Sequence, residues 1–366
     1  MNTFSFPELS HQNFVGRDFV FTAINNFLHR YPKGYLTIVG VPGSGKSAIL
    51  AQLVRQNPDI IYYNAQIPGK NRVEGFFKDV CPQLDSLFST PPQPSPQARR
   101  EIINHSQPPP QARREIEVVN ANEGSWLFSN LLQQVSERLS PENQLIIIID
   151  GLDRVDINSQ AAGTNLFYLP RYLPNQVYFI FARRPYQRSH SGLLIEAPSQ
   201  VLDLADFPEE NREDIREFLR RKRTTETQSY QRNIIELIKE NEDNFMYVQQ
   251  VLTAFNEGFY DEHDVHEVPP GLQVYYQQLW DKMQGDGLSD VAVNLLVVLT
   301  AGEMQPLSML DISKVINEDV FDVMEVLEGW LEFLQVISTG KEVKYQLYHY
   351  GFRKWLRDCL QRFSAK

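Results

Sequence analysis

The stretch "YLTIVGVPGSGKSAIL", residues 35–50, decides the fold because it places an apolar strand, a glycine-rich loop and an apolar helix in immediate succession. Its centre, "GVPGSGKS" at 40–47, matches the pattern G-x-x-x-x-G-K-[ST] in the strand-loop-helix context that confirms it. Such a loop turns backbone N–H groups toward phosphate oxygens, and the start of the helix adds a favourable dipole. We therefore expect a nucleotide-phosphate site formed by Gly40, Pro42, Gly43, Ser44, Gly45, Lys46, Ser47 and Ala48.

Side chains near this loop have predicted roles in nucleotide and metal binding. Lys46 should reach the β- and γ-phosphates, and the Ser47 hydroxyl should ligate Mg²⁺. A second metal ligand is expected in "LIIIIDGLDRVD", residues 145–156, because Asp150 ends an apolar strand where a carboxylate can fix the ion. One strand, 60–65, separates this strand from the P-loop strand, and the layout puts Asp150 beside the loop.

The residues after Asp150 bear on hydrolysis. In fast P-loop hydrolases a glutamate follows this aspartate, whereas here the next residue is Gly151, which has no side chain. Asp153 is the best candidate to orient the attacking water, and a turn-stabilising aspartate is the alternative. At the end of the next strand, Arg183 or Arg184 of "ARRP" could sense the γ-phosphate through charge-assisted hydrogen bonds, and a surface arginine is the alternative.

Strand and helix patterns alternate through the first half of the chain. Five strands are predicted, at 35–40, 60–65, 145–149, 177–182 and 200–205. Apolar positions at helical spacing predict helices around them, including 19–29 and a helix that starts at Ser125. This order predicts an α/β fold of the P-loop NTPase type, with a five-stranded parallel sheet covered by helices. Residues 1–205 form the predicted nucleotide-binding domain.

The strand patterns stop after residue 206. The segment "FPEENREDIREFLRRK" has Pro208 near its start, acids in its first turn and bases at its end, as a helix dipole prefers. Further helices are expected at 232–240, 245–255 and 272–283, which together predict a helical domain over 206–285. Over 286–366, three helical patterns precede an alternating segment around Gly340, and we expect a winged-helix domain.

Composition and charge narrow the class of protein. The chain has 366 residues, of which 42 % are hydrophobic, so two or three domains with buried cores are expected. Its net charge of −11 argues against a general binder of phosphate backbones. The apolar runs are too short to cross a bilayer, and no secretory signal begins the chain. We expect a cytoplasmic protein with no membrane partner, whose cysteines, Cys81 and Cys359, are reduced and buried.

One segment, residues 89–122, breaks the domain pattern. It is rich in proline and contains the direct repeat "PQARREI", at 96–102 and again at 110–116. Two copies are too few for a solenoid, and the prolines oppose packing. We interpret the segment as an exposed insertion in the nucleotide-binding domain, with a peptide-binding linker as the alternative.

The motifs occur together in a recognisable order. The stretches "FVGRDF", "GVPGSGKS", "LIIIIDGLD", "FARRP" and "YHYGF" resemble those of STAND-class signalling NTPases of the NACHT group. The resemblance covers nearly the whole chain apart from 89–122, and "NFMY" and "PPGLQVYYQQLW" resemble the bacterial NACHT proteins that carry C-terminal β-propeller repeats. It implies an ATP/ADP-binding signal-transduction switch that uses Mg²⁺, hydrolyses ATP slowly and forms a homo-oligomer when activated.

The same resemblance implies roles for particular residues. Those lining the adenine and ribose side would be Phe14, Val15, Gly16 and Arg17. Arg184 matches the arginine of the family's T-S-R-P sensor, although "ARRP" lacks the T-S pair. His349 matches a winged-helix histidine that contacts the β-phosphate of ADP and locks the closed state. The family often has Asp-Glu where this chain has Asp153-Arg154, so one carboxylate is lost from the water-activating side.

Other functions stay open. An AAA-type motor or clamp loader acting on nucleic acid would carry an adjacent Asp-Glu pair and a basic channel, and neither is evident. A winged-helix DNA-binding regulator would use a basic terminal helix, which here contains Arg353, Lys354, Arg357 and Arg362. That helix also has the pattern of an amphipathic packing helix. A small-molecule P-loop kinase would carry an arginine-rich lid, which is not apparent. Nucleic acid is therefore not an expected partner.

STAND proteins usually carry an effector before the NTPase core and sensor repeats after it. Only 13 residues precede "FVGR" and none follows Lys366. We therefore expect the effector and sensor to be separate chains, or parts of a longer protein that this sequence lacks.

Overall fold

The computed structural model describes residues 14–89, 121–186, 191–222, 244–262, 267–301, 306–339, 342–347 and 350–364. Some sequence predictions fall outside these residues. They are the insertion between 90 and 120, the helix at 232–240, Gly340 in the hairpin, and His349.

The central sheet has five strands, β1 (Gly34–Val39), β2 (Ile61–Asn64), β3 (Leu145–Asp150), β4 (Val177–Arg183) and β5 (Ser199–Asp203). Their order across the sheet is β2-β3-β4-β1-β5, and every neighbouring pair is parallel. The predicted five-stranded parallel sheet is confirmed. The strand that separates β1 from β3 is β4, however, so the prediction that strand 60–65 lies between them is wrong. β2 lies at the sheet edge because β4 pairs with both β1 and β3.

Helices cover both faces of this sheet, which explains the uninterrupted apolar run in β3. Ile147 and Ile149 belong to the core beneath α3 (Val73–Ser89) and α4 (Ala121–Arg138). Ile148 belongs to the opposite core, beneath α1 (Asp18–Arg30) and α2 (Lys46–Gln56). Successive side chains of a strand point to opposite faces, so a strand buried on both sides requires apolar residues at every position.

Helix α3 was not predicted from the sequence, and it places Cys81 in the core beneath the sheet. Burial raises the pKa of the Cys81 thiol to about 12. Cys359, in contrast, is only partly buried. The prediction that both thiols are buried therefore holds fully for Cys81 alone.

This difference predicts selective alkylation. The thiolate is the reactive form, so iodoacetamide at pH 8 is expected to modify Cys359 in the folded protein and to modify Cys81 only after unfolding in urea. Peptide mass spectrometry before and after urea measures both sites. A Cys359→Ser variant that still takes up one label per folded chain would contradict the burial of Cys81.

The second half of the chain is mainly helical, and its elements in chain order are α5 (Pro208–Lys222), α6 (Phe245–Asn256), α7 (Phe259–Glu262), α8 (Pro270–Gln284), α9 (Asp290–Thr300), β6 (Leu307–Ser308), α10 (Met309–Ile316), α11 (Val320–Gly329), β7 (Leu334–Thr339), β8 (Glu342–Leu347) and α12 (Tyr350–Ser364). The predicted hairpin is present as β7 and β8, and β6 extends it to an antiparallel sheet of order β6-β8-β7.

One hydrophobic core joins these elements across residue 285. It contains Ile215 of α5, Tyr276 of α8, Leu295 of α9 and Phe352 of α12. Val15, which precedes α1, belongs to the same core. The nucleotide-binding half is therefore packed directly against the helical half. Among the segments that the structure describes, none of the helices has both the length and the apolar character needed to span a bilayer.

Candidate functional site

The loop between β1 and α2 has the backbone geometry of a phosphate-binding loop. Gly43 and Gly45 have φ angles of 79° and 91°, in the left-handed region that favours glycine. The next residue, Lys46, begins α2, so the unpaired N–H groups of the first helical turn lie at the end of the loop. A phosphate bound here would receive backbone hydrogen bonds and the favourable end of the helix dipole.

The Lys46 side chain lies along the loop. Its Nζ donates to the carbonyl oxygens of Gly40 and Val41, at 2.6 and 2.9 Å. Burial lowers the pKa of Lys46 to about 8, and the nearby carboxylate of Asp153 opposes this change. Carbonyl dipoles compensate a buried ammonium only in part, so a phosphate anion would be a better partner for it.

The two predicted magnesium ligands lie together. The Asp150 side chain is almost fully buried and accepts a hydrogen bond from the Tyr62 hydroxyl at 3.2 Å. Burial raises the pKa of Asp150, while its hydrogen bond with Ser47 and the charge of Lys46 act in the opposite direction. In the part of the chain that the structure describes, no group of three or more His, Cys, Asp or Glu residues could hold a metal ion. Ser47 and Asp150 would therefore hold Mg²⁺ together with phosphate oxygens and water.

Asp153 and Arg184 meet at the same edge of the sheet. The Arg184 backbone N–H donates to Asp153 Oδ1 at 3.1 Å, and its Nε lies 3.6 Å from Asp153 Oδ2. Arg154 Nε lies at the same distance, 3.6 Å, from that oxygen. The guanidinium of Arg184 also pairs with Glu332, which in turn pairs with Lys282 of α8. Two candidate site residues are thus joined to a carboxylate between α11 and β7.

Arg183 makes different contacts from Arg184. Its Nη1 donates to the Ser191 carbonyl at 2.8 Å, and its guanidinium lies 3.6 Å from the centre of the Tyr186 ring. Burial lowers the pKa of Arg183. Of the two candidate sensors, Arg184 is therefore the one with contacts to both Asp153 and the C-terminal half.

Residues 14–17 lie where the two halves of the chain meet. Gly16 and Arg17 have φ angles of 66° and 67°. The Arg17 guanidinium is buried, donates to the carbonyl of Ser44 at 2.6 Å and contacts Asn211 Oδ1, and its backbone N–H donates to Asp214 Oδ2 at 3.0 Å. Burial lowers the pKa of Arg17 to about 10, and Asp214 opposes that shift. Arg17 thus connects the P-loop to α5, and its predicted role on the ribose side stays a prediction.

The structure adds site residues that the sequence patterns did not indicate. Asn244 Nδ2 donates to the carbonyl of Pro42 at 2.8 Å, and the Met246 N–H donates to the carbonyl of Gly43 at 3.3 Å. Asn244 also caps α6 by accepting from two of its N–H groups, so an asparagine before a helix was the available signal. Gln66 lies beside the site too, with its Nε2 3.4 Å from Ser47 Oγ.

Comparison with known proteins agrees with this geometry. Residues 13–181 match the family model described as an AAA ATPase domain. Among solved structures, the chain is similar to the Walker-type ATPase PABY2304 of Pyrococcus abyssi, with a TM-score of 0.58 and 15 % identity over 95 % of this chain and 97 % of that one. At this identity the likeness shows the fold alone. A search of the curated proteins found no match.

The chain is also similar to the Drosophila ORC bound to DNA, with a TM-score of 0.32 and 12 % identity over 89 % of this chain and 90 % of that one. That score is too low to carry an argument. The prediction that nucleic acid is not a partner therefore gains no support from the comparisons, and they do not distinguish the NACHT group from other P-loop NTPases. Together, the sheet order, the P-loop geometry and the match of residues 13–181 to the AAA ATPase domain model support a P-loop NTPase fold for the first half of the chain.

Proposed function

We propose that the chain is an ATP/ADP-binding signal-transduction switch of the STAND/NACHT type, whose slow Mg²⁺-dependent hydrolysis drives or resets assembly into a homo-oligomer. The observation that carries the proposal is the ion pair between Arg184, the candidate γ-phosphate sensor, and Glu332 in the C-terminal half. Both side chains are largely buried, with 17 % and 16 % of their surfaces exposed.

The ion pair gives ATP and ADP different effects. Glu332 and a γ-phosphate are both anions, and both would compete for the guanidinium of Arg184. Lys282 holds the other carboxylate oxygen of Glu332, so the carboxylate is already fixed to α8 when it pairs with Arg184. ATP would therefore weaken the Arg184–Glu332 ion pair that connects the sheet to the C-terminal half, whereas ADP would leave this ion pair intact. A ligand that binds two arrangements with different affinity shifts their populations.

A second set of contacts, formed by hydrogen bonds, connects the P-loop to the helical half. Asn244 and Met246 hydrogen-bond the carbonyls of Pro42 and Gly43, and α6 begins directly after Asn244. A β-carbon added to Gly43 would lie 2.3 Å from Asn244 Oδ1, so the loop and this side chain are in close contact. Rearrangement of the loop on nucleotide exchange would move the start of α6.

The geometry also favours slow hydrolysis. Gly151 supplies no side chain, and the carboxylate of Asp153 is held between Arg154 and Arg184. Asp153 would have to leave these charge-assisted contacts before it could orient a water molecule. A site of this kind suits a switch that keeps its nucleotide for long periods.

The rest of the proposal follows the sequence prediction. The nucleotide-binding, helical and winged-helix domains would span 1–205, 206–285 and 286–366. The order of α9, β6, α10, α11, β7 and β8 agrees with a winged helix. His349 would add a lock on the β-phosphate of ADP. We place the switch in the cytoplasm.

The basic terminal helix, α12, gives little support to a role in DNA binding. Arg353 is buried and donates to the carbonyls of Leu299 and Ala301, at 3.0 and 2.7 Å. Its guanidinium therefore terminates α9 and is not free to contact a phosphate backbone.

A direct experiment tests the switch. The purified chain is denatured with acid, the released nucleotide is identified by anion-exchange chromatography, and light scattering measures the mass of the protein with Mg·ADP and with a slowly hydrolysed ATP analogue. We expect bound ADP and a larger assembly with the analogue. Equal mass in both nucleotides, or turnover that rises strongly with added DNA, would contradict the switch and favour an AAA-type motor.

The ion pair itself predicts a kinetic effect. Replacing Glu332 with glutamine removes the charge and keeps the shape of the side chain. The ADP-bound arrangement, in which Arg184 pairs with Glu332, then loses that ion pair. Fluorescent ADP should therefore dissociate about fivefold faster or more, which is a typical coupling between two sites. Stopped-flow fluorescence measures the release rate. Glu325→Gln, on the exposed face of α11, is the matched control and should not change it. Equal rates for the two variants would show that Glu332 does not hold the closed form.

A further inference from the structure

The space beside Gly151 is already filled by another residue. Gly151 has a φ of 74°, and a β-carbon added to it would lie 2.4 Å from Gln66 Cγ and 3.4 Å from Gln66 Nε2. Fast P-loop hydrolases carry a glutamate at the position of Gly151. In this chain the start of that volume is occupied by the side chain of Gln66, whose Cγ lies nearest and whose amide lies just beyond.

The sheet order brings Gln66 to this place. It follows β2, whose last residue, Asn64, pairs with Asp150 of β3. The turn after β2 is held by two hydrogen bonds, from the Ala65 N–H to the carbonyl of Asp150 and from the Gln66 N–H to Asn64 Oδ1, both at 2.9 Å. The backbone of Gln66 is therefore fixed relative to the predicted magnesium ligand.

The Gln66 side chain remains available for a ligand. Gln66 is exposed, and within the described residues its amide makes one hydrogen bond, to Ser47 Oγ, which is long at 3.4 Å. A carboxamide carries two donor hydrogens and an acceptor oxygen, so it can bind a water molecule and a phosphate oxygen together. Asp153, in comparison, is already held by two arginines.

We propose that Gln66 is a positioning residue for ATP hydrolysis, which holds the attacking water in place of a side chain at position 151. The proposal rests on the nucleotide hydrolysis in the function proposed above. In the reaction, the water oxygen forms a bond to the γ-phosphorus, and the bond from phosphorus to the bridging oxygen breaks. ADP leaves with the electron pair, one proton of the water stays on the released phosphate, and the other passes to solvent.

The chemistry of an amide explains why such a site would be slow. A glutamine can orient water by hydrogen bonding, but it cannot accept the proton as a glutamate can. Orientation without general-base catalysis is the mode by which a glutamine acts in the GTPases, whose intrinsic turnover is slow. Gln66 therefore fits a protein that hydrolyses its nucleotide rarely.

The test compares three variants at saturating Mg·ATP. Gln66→Leu keeps the size of the side chain and removes its hydrogen bonds, so single-turnover hydrolysis should slow by about tenfold or more, while the Kd of a fluorescent ATP analogue should change less than about twofold. Gln66→Glu restores a polar group, so it should recover turnover and acquire a pH dependence that Gln66→Leu lacks. Gln133→Leu, on the exposed face of α4, is the control.

The outcomes separate this proposal from the proposed switch. Unchanged turnover in Gln66→Leu, or loss of ATP binding together with turnover, would overturn the positioning role. A wild-type chain that binds ATP but never hydrolyses it would also overturn the positioning role of Gln66. That result would still be compatible with a switch that only binds nucleotide. A wild-type chain that hydrolyses ATP through Gln66 without any change of assembly would instead contradict the switch.

Discussion

Replacing Lys46 with alanine is expected to weaken Mg·ATP and Mg·ADP binding by about tenfold to a hundredfold, as the loss of a charge-assisted hydrogen bond predicts. In the structure the ammonium group lies against the carbonyls of Gly40 and Val41, at the position where the P-loop would receive the β- and γ-phosphates. A bound phosphate would replace these carbonyls as the partner of Lys46, so the variant would lose an interaction with the nucleotide. Fluorescence titration with labelled nucleotides measures the Kd.

The same variant should be at least as stable as the wild-type protein without nucleotide. Burial lowers the pKa of Lys46 from 10.5 to about 8, so the unfolded chain binds more protons than the folded chain between these values. The charged lysine therefore destabilises the folded state below pH 8, and this effect is relieved as the pH rises toward 10.5. Thermal unfolding at pH 7 measures the difference in stability between Lys46→Ala and the wild-type protein. Lys78→Ala, on the exposed face of α3, is the control. Lower stability combined with unchanged nucleotide binding would show that Lys46 has only a structural role.

The sequence was sufficient to predict the sheet and the P-loop, because both depend on local patterns. Strand β3 is apolar at every position from Leu145 to Ile149, and the glycines of the loop have fixed spacing. It did not predict the order of strands, because chain order does not specify which strand inserts between two others. Helix α3 was missed too, since it contains Pro82 and lies next to the proline-rich segment.

The long-range contacts of the site could not be predicted from local sequence. Glu332 is 148 positions from Arg184, and Asn244 is 202 positions from Pro42. Nothing in the residues around Glu332 distinguishes it from the acids of the preceding helix, α11. Only the packing of the C-terminal half against the sheet makes it a partner of the candidate sensor. The lock at His349 stays a prediction, and Glu332 supplies a different tie within the described residues.

Replacing Arg17 with methionine is expected to destabilise the protein by about 3 kcal/mol, the size expected when one partner of a buried ion pair is removed. The Arg17 side chain is 3 % exposed and the Asp214 side chain 14 %. Methionine has similar length but no donors, so the partly buried Asp214 would be left without its countercharge, and the Ser44 carbonyl would lose its hydrogen bond. Urea unfolding, followed by tryptophan fluorescence, measures the change.

Burial and the charge of Asp214 have opposite effects on the pKa of Arg17, so a double variant that removes both charges is informative. Burial lowers the pKa of the Arg17 guanidinium, and the nearby charge of Asp214 acts in the opposite direction. Adding Asp214→Asn to Arg17→Met removes the unpaired carboxylate, so the double variant should be more stable than Arg17→Met alone. Arg30→Met, at the exposed end of α1, is the control for a surface arginine. If the two substitutions instead destabilise additively, the pair contributes nothing beyond its separate packing contacts, and the connection between the P-loop and α5 depends on the hydrogen bonds to Ser44 and Asn211.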